Sequence, residues 1–184
     1  MTPGLASRSS HAAPNSGRDL RDADREAAII GLFHRHYAQL VRLAVLVGAD
    51  NEAEDIVEDA FCVLHRRWYT LRHSDAALGY LRSVICNLTR MRLRHQHVVR
   101  HYQEAPHAYV DSAESIAESR EDRREVIAAL RRLPGRQREA LVLRYWLGLC
   151  ETDVAHAMGI SRGAVKAHTA RGMAGLKRSL TARL

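Results

Sequence analysis

"DVAHAMGISRGAVKAHTARGMAGLKRSL", residues 153–180, is the stretch on which the fold turns. A short helical pattern over 151–158 puts Val154, Ala155 and Met158 on one side, with Ala155 small where a crossing helix must approach. Gly159 turns the chain at low steric cost, Ile160 fills the corner, and Ser161 stands where its hydroxyl caps the next helix. That helix turns Val165, Met173, Leu176 and Leu180 inward. Its other side presents Lys166, Ala167, Ala170, Arg171, Ala174, Lys177 and Arg178. Alanines between long basic chains let a helix backbone approach a groove while Lys and Arg reach phosphates or base edges. The same residues are good helix formers and equally suit a structural hairpin closing a small all-α domain. Both readings stay open on this stretch alone.

Charge along the chain weighs between them. The 184 residues carry a formal charge of +7, which attracts nucleic acid or an acidic surface without identifying either. Residues 50–61 hold six carboxylates and no Lys or Arg, whereas 62–100 hold eight arginines against the single acid Asp75. Residues 101–125 return to a balance of −4, and 141–184 to +5. Two basic blocks separated by an acidic connector read as two modules with similar polyanion partners, which favours DNA for the terminal hairpin. Cys62, Cys86 and Cys150 are odd in number and widely spaced, so neither a disulfide framework nor a close ligand pair is expected. Apolar runs are far too short for a membrane span, and the N-terminus has no hydrophobic signal core. The expectation is a cytoplasmic protein with no membrane insertion.

Periodicity divides the chain. Residues 1–22 mix Pro, Gly, Ser and charge without a period and read as a disordered lead-in. A first module, 23–95, opens with a helix near Arg25 whose Ile29, Leu32, Phe33, Tyr37, Leu40, Val41 and Leu43 share one face, ended by Gly48. A second helix over 51–68 carries Ile56, Val57, Ala60, Phe61, Leu64 and Trp68, with acids at its start that suit the helix dipole. After a connector at 69–76, a third helix over 77–94 places Leu81, Val84, Ile85 and Leu88 on one side and Ser83, Asn87, Arg90 and Arg94 on the other. The period fails over 96–120, a linker of a length that marks a domain boundary. The second module, 121–184, begins with Val126, Ile127, Leu130 and Leu133 inward. Pro134 and Gly135 then break the helix, and the next buries Leu141, Val142, Tyr145 and Trp146. No strand-like alternation occurs, so the fold class is all-α: two small helical domains joined by a flexible linker.

The order "LFHRHYAQLVRLA", "AEDIVEDAFCVLHRRW", "GYLRSVICNLTRMRLRH", "LRRLPGRQREALVLRYWLGL" and "ETDVAHAMGISRGAVKAHTARGMAGLK" resembles a bacterial sigma factor of the extracytoplasmic-function group, in the minimal form with sigma regions 2 and 4. The resemblance implies a protein that joins core RNA polymerase, through its beta-prime and beta subunits, and selects promoter DNA. It implies polymerase contacts at Asp55, Glu58, Asp59 and Phe61, with Glu58 where Gln is common. It implies contacts to the start-proximal (−10) element, and help in opening it, from Tyr80, Arg82, Ser83, Asn87, Arg90 and Arg94, with Met91 where Asp is frequent. The connector 70–79 is where a flipped-base pocket is expected. Trp68 and Tyr69 suit stacking on an exposed base, although Trp68 also completes the apolar helical series. The terminal module resembles the reader of the distal (−35) element as duplex, through Arg162, Lys166, Ala167, Ala170 and Arg171, with His168 at the flank. Cys150 stands where a Ser-like cap is usual, with Thr152 as a cap in a shifted register, and Ala164 replaces a frequent Thr. The acidic linker resembles the segment that runs near the polymerase's RNA exit path, and an anti-sigma protein is an implied partner type.

Two other classes compete. An enzyme would need a phosphate loop, an HExxH pair or an activated nucleophile, and none is present; His95, His97 and His101 lack a nearby Cys or carboxylate to complete a ligand set. No catalytic residue, metal or cofactor is therefore expected. A repressor or activator acting without polymerase explains 150–180 but leaves the acidic-then-basic first module without a use.

Overall fold

The computed structural model describes residues 16–71, 76–100 and 117–181. Helix α1, Ser16–Val47, begins ahead of the periodic pattern, so 16–22 are helical where a disordered lead-in was expected; extending a formed helix costs far less than nucleating one. Leu40, Leu43, Ala44 and Val47 are buried. Gly48, at φ +112°, ends the helix, and a 3-10 turn at Asp50–Glu52 leads into α2, Ala53–Arg67. The α2 stripe Ile56, Val57, Ala60, Phe61 and Leu64 is buried, with Glu54 and Asp55 in the first turn and His65, Arg66 and Arg67 in the last. Acids at the N-terminus and bases at the C-terminus oppose the helix dipole and favour this length. A 3-10 turn, Trp68–Thr70, follows. Helix α3, Ala76–Arg100, buries Leu81 and Ile85 as its period predicts, and also Ala77, Cys86 and Thr89.

The C-terminal helices are α4, Ala117–Arg131; α5, Gly135–Leu141; α6, Glu151–Met158; and α7, Arg162–Thr181. Helix α3 reaches Arg100 and α4 starts at Ala117, so both ends of the 96–120 segment are helical; the expected flexible linker otherwise falls at 101–116, outside the described residues. Four apolar positions of these helices differ from the sequence pattern. Val126 is exposed and Ala129 takes the buried place on α4. A π turn at Val142–Trp146, closed by the Leu147 N–H donating to the Val142 carbonyl at 3.1 Å, follows α5 directly. Its wider winding inserts a residue, which turns Leu143 inward and leaves Tyr145 61 % and Trp146 41 % exposed. On α7 the buried residues are Val165 and Gly172, and Met173 is 40 % exposed. A Cβ at Gly172 would sit 3.1 Å from the Gln137 carbonyl oxygen and the Leu141 side chain, so α7 crosses α5 there backbone to backbone, one residue off the predicted stripe.

One buried cluster joins the two sets of helices. It runs from Leu43, Ile56 and Leu81 to Leu143, Val154 and Val165, with α6 packed on α3 and α5 against α1. Among the described residues, no helix is long and apolar enough to cross a membrane.

Candidate nucleic-acid interface

The turn between α6 and α7 is built as its residues dictate. Gly159 adopts φ +64°, ψ +40°, and its N–H donates to the His156 carbonyl at 3.3 Å. The Ser161 hydroxyl accepts from the Ala164 N–H at 3.2 Å, capping α7. The start of α6 lacks such a cap: Cys150 occupies the N-cap position with no side-chain bond to the backbone, and its thiol lies 3.1 Å from Asp153 Oδ2. Thr152 lies inside α6 and does not supply the cap expected of it.

Arg162, Lys166, Ala167, Ala170 and Arg171 are all exposed on α7. Glu151 stands 3.9 Å from Arg162 and 3.7 Å from Lys166, holding both basic chains near the helix start. A groove of about 520 Å³ beside this face is lined by Arg144, Tyr145, Lys166, Ala170, Met173 and Lys177. Periodicity had put Tyr145 and Met173 in the core, and the π turn is what releases Tyr145. His168 is half-buried at the flank; burial, then Arg171 and Arg136, pull its pKa below the ordinary 6.5.

The predicted α3 face is less open. Asn87 and Arg94 are exposed, but Tyr80, Arg82, Ser83 and Arg90 are half-buried. Arg90 donates to Asn87 and, at 2.5 Å, to Glu139 on α5, whose side chain is only 3 % exposed. Burial raises the Glu139 pKa against the opposing pull of Arg90, Arg136 and Cys86. Burial also lowers the pKa of Arg82, with Asp153 of α6 as its countercharge. Burial pushes the Cys86 thiol well up, and Glu139 adds to that rise by charge and hydrogen bond. Met91 is exposed on the outer side of α3.

On α2, Asp55, Glu58 and Asp59 are exposed at i, i+3 and i+4 and share one face. Phe61 is not on that surface: it is buried, edge-on to Phe33 at a ring separation of 5.1 Å. Arg92, which sequence reasoning passed over, reaches back from α3 to Glu52 at 2.9 Å and Asp59 at 3.3 Å. The hydrogen bond that Arg92 donates to Glu52 is the largest cause raising the Arg92 pKa. Trp68 is half-buried against the core, whereas Tyr69 is exposed with the Arg25 guanidinium 5.4 Å over its ring. Residues 72–75 of the expected flipped-base pocket lie outside the described residues, as do the side chains of His97 and His101. Among the described residues no three His, Cys, Asp or Glu side chains gather at metal-binding distance.

Comparison with known proteins matches residues 32–98 to the family model "Sigma-70 region 2" and 123–176 to "Sigma-70, region 4". The "ECF RNA polymerase sigma factor SigM" of Mycobacterium tuberculosis is 33 % identical over 153 residues, covering 81 % of this chain and 75 % of that one. The "RNA polymerase sigma-E factor" of Streptomyces coelicolor is 30 % identical over 140 residues, 75 % of this chain and 77 % of the other. Among solved structures, the sigma factor RpoE in complex with the anti-sigma factor NepR, from Bartonella quintana, has a TM-score of 0.65 at 21 % identity over 81 % of this chain and 94 % of that one. CnrH in complex with the cytosolic domain of CnrY has a TM-score of 0.63 at 21 % identity, covering 88 % and 95 %. These structural likenesses establish the shared helical fold.

Proposed function

The chain belongs to the extracytoplasmic-function family of bacterial RNA polymerase sigma factors, and we propose that its acidic α2 face docks on core polymerase while α3 and α7 take two separate elements of one promoter. As a sigma factor it directs transcription through core RNA polymerase and promoter recognition, and it is not an enzyme. The division of labour by residue goes further. Asp55, Glu58 and Asp59 meet a basic surface of the polymerase, with Phe61 setting the tilt of α2 from beneath. Tyr80, Arg82, Ser83, Asn87, Arg90 and Arg94 capture the opened −10 strand. Arg162, Lys166, Ala167, Ala170 and Arg171 read the −35 element as duplex. Residues 23–95 and 121–184 act as sigma regions 2 and 4, and 96–120 spans between them.

The observation that carries this reading is on α7. All five candidate residues are exposed on one helix that starts at a capped, glycine-turned corner. Unpaired N–H groups at that start suit phosphate, and the small Ala167 and Ala170 leave room for a groove wall. Strand capture by α3 favours the open complex because its contacts differ between open and closed DNA. The working compartment is the cytoplasm, and an anti-sigma protein is a partner, by analogy with the complex of RpoE with NepR. The test is reconstitution. Purified chain plus core polymerase initiates at selected promoters and neither component does so alone; failure to associate with core polymerase rejects the residue assignment on α2.

A further inference from the structure

We propose that Glu151 is a specificity-determining residue of the duplex-reading face: its carboxylate keeps Lys166 and Arg162 from settling on phosphate, so that they reach base edges instead. The inference rests on the reading of α7 given above and adds an acid to it. An anion is the wrong sign for this place. The groove beside α7 has Arg144, Lys166 and Lys177 in its lining, and among the described residues that line it Glu151 is the acid. In a helix-turn-helix the first helix crosses the DNA backbone, and Glu151 opens that helix, α6. A carboxylate there repels the phosphates that the cations of the groove attract, and so costs affinity.

The geometry is that of an anchor. Glu151 Oε2 is shared between two cations, 3.7 Å from Lys166 Nζ and 3.9 Å from Arg162 Nη2. Its side chain is 30 % exposed against 65 % for Lys166 and 66 % for Arg162, so the anion is held by its surroundings while the cations keep their freedom. Stability does not account for the arrangement: exposed ion pairs at these distances contribute little to folding, and Asp153 already supplies the first turn of α6 with an acid for the helix dipole. What the pairing changes is where a long chain goes on DNA. A lysine is a flexible point charge, and left alone it settles on the nearest phosphate, which is the same in every sequence. Held near Glu151 in the groove that Ala170 also lines, the Lys166 ammonium stays on the face that meets the bases, where guanine offers O6 and N7. Sequence-independent binding then falls more than specific binding, which is how a repulsive group raises discrimination.

The test compares binding of holoenzyme to a promoter duplex with its −35 element intact and to the same duplex with that element scrambled. Glu151→Gln keeps the shape of the side chain and removes its charge. It tightens binding to the scrambled duplex roughly fivefold, leaves the intact one within about twofold, and steepens the salt dependence on the scrambled duplex by about one counterion. In an Arg162→Ala/Lys166→Ala background the same change has no further effect on discrimination, because the chains it positions are gone. Wild-type discrimination in Glu151→Gln, with only the melting temperature shifted, overturns the proposal and leaves Glu151 a helix-start acid. An equal loss of discrimination with and without Arg162 and Lys166 overturns it too. If Arg162→Ala/Lys166→Ala alone leaves binding to the intact duplex unchanged, the reading of α7 fails and the role of Glu151 goes with it.

Discussion

Helix α7 and helix α3 carry similar chemistry, spaced basic chains and smaller residues opposite an apolar stripe, yet they sit in the fold differently. On α7 the candidate residues are exposed and their nearest countercharge, Glu151, is half-buried at the helix start. On α3, Arg90 is bonded to a buried carboxylate and Arg82 is half covered. A basic face is therefore free or occupied according to what the rest of the chain brings to it, which no local pattern states. On the proposed assignment, the α7 face pairs only with the partly exposed Glu151, whereas Arg90 of the α3 face is bonded to a buried carboxylate.

Perturbations separate the two faces by size of effect. Asp55→Lys with Asp59→Lys removes both at once, because neither reaches a promoter without polymerase; reversal of charge at such a contact lowers core association on the order of 100-fold in a pull-down titration. Lys166→Ala with Arg171→Ala leaves core association intact and weakens duplex −35 binding, at about 1–3 kcal/mol per base-reading contact, in a holoenzyme mobility shift. An equal loss of core association would make α7 a packing helix. Gly172→Val strains only the C-terminal side. The added side chain meets Leu141 and the Gln137 carbonyl, and overpacking there costs about 1–3 kcal/mol in urea unfolding.

The smallest effect is the pH dependence at His168. Its folded pKa lies below 6.5, so the unfolded chain takes up the proton first. Stability from this group is full above 6.5 and is lost as pH falls from there towards the depressed folded value. Melting temperature accordingly declines slightly over that window, and His168→Gln flattens the decline.

Legibility in the sequence followed the range of the interactions. The α6–turn–α7 unit was readable because each of its determinants is local: Gly159 for a left-handed turn, Ser161 for a cap, Val154 and Val165 for the core. Helix α2 was equally plain from its apolar period. The π turn left no mark in composition, so Tyr145 and Trp146 read as core residues and Leu143 was passed over. Met173 was misread because the α5–α7 crossing is set by the absence of a side chain at Gly172, which period counting ignores. Arg90 and Glu139 are 49 residues apart, and nothing near either of them announces the pair.

The central claim is that two basic helices reach two elements of one promoter once polymerase is bound. Photo-crosslinking residues placed singly at Asn87 and Ala170, in holoenzyme assembled on an open promoter, test it most directly. The account predicts crosslinks from position 87 to the single-stranded −10 region and from position 170 to the −35 duplex in the same complex. Crosslinks from both positions to protein, with none to DNA, would contradict it.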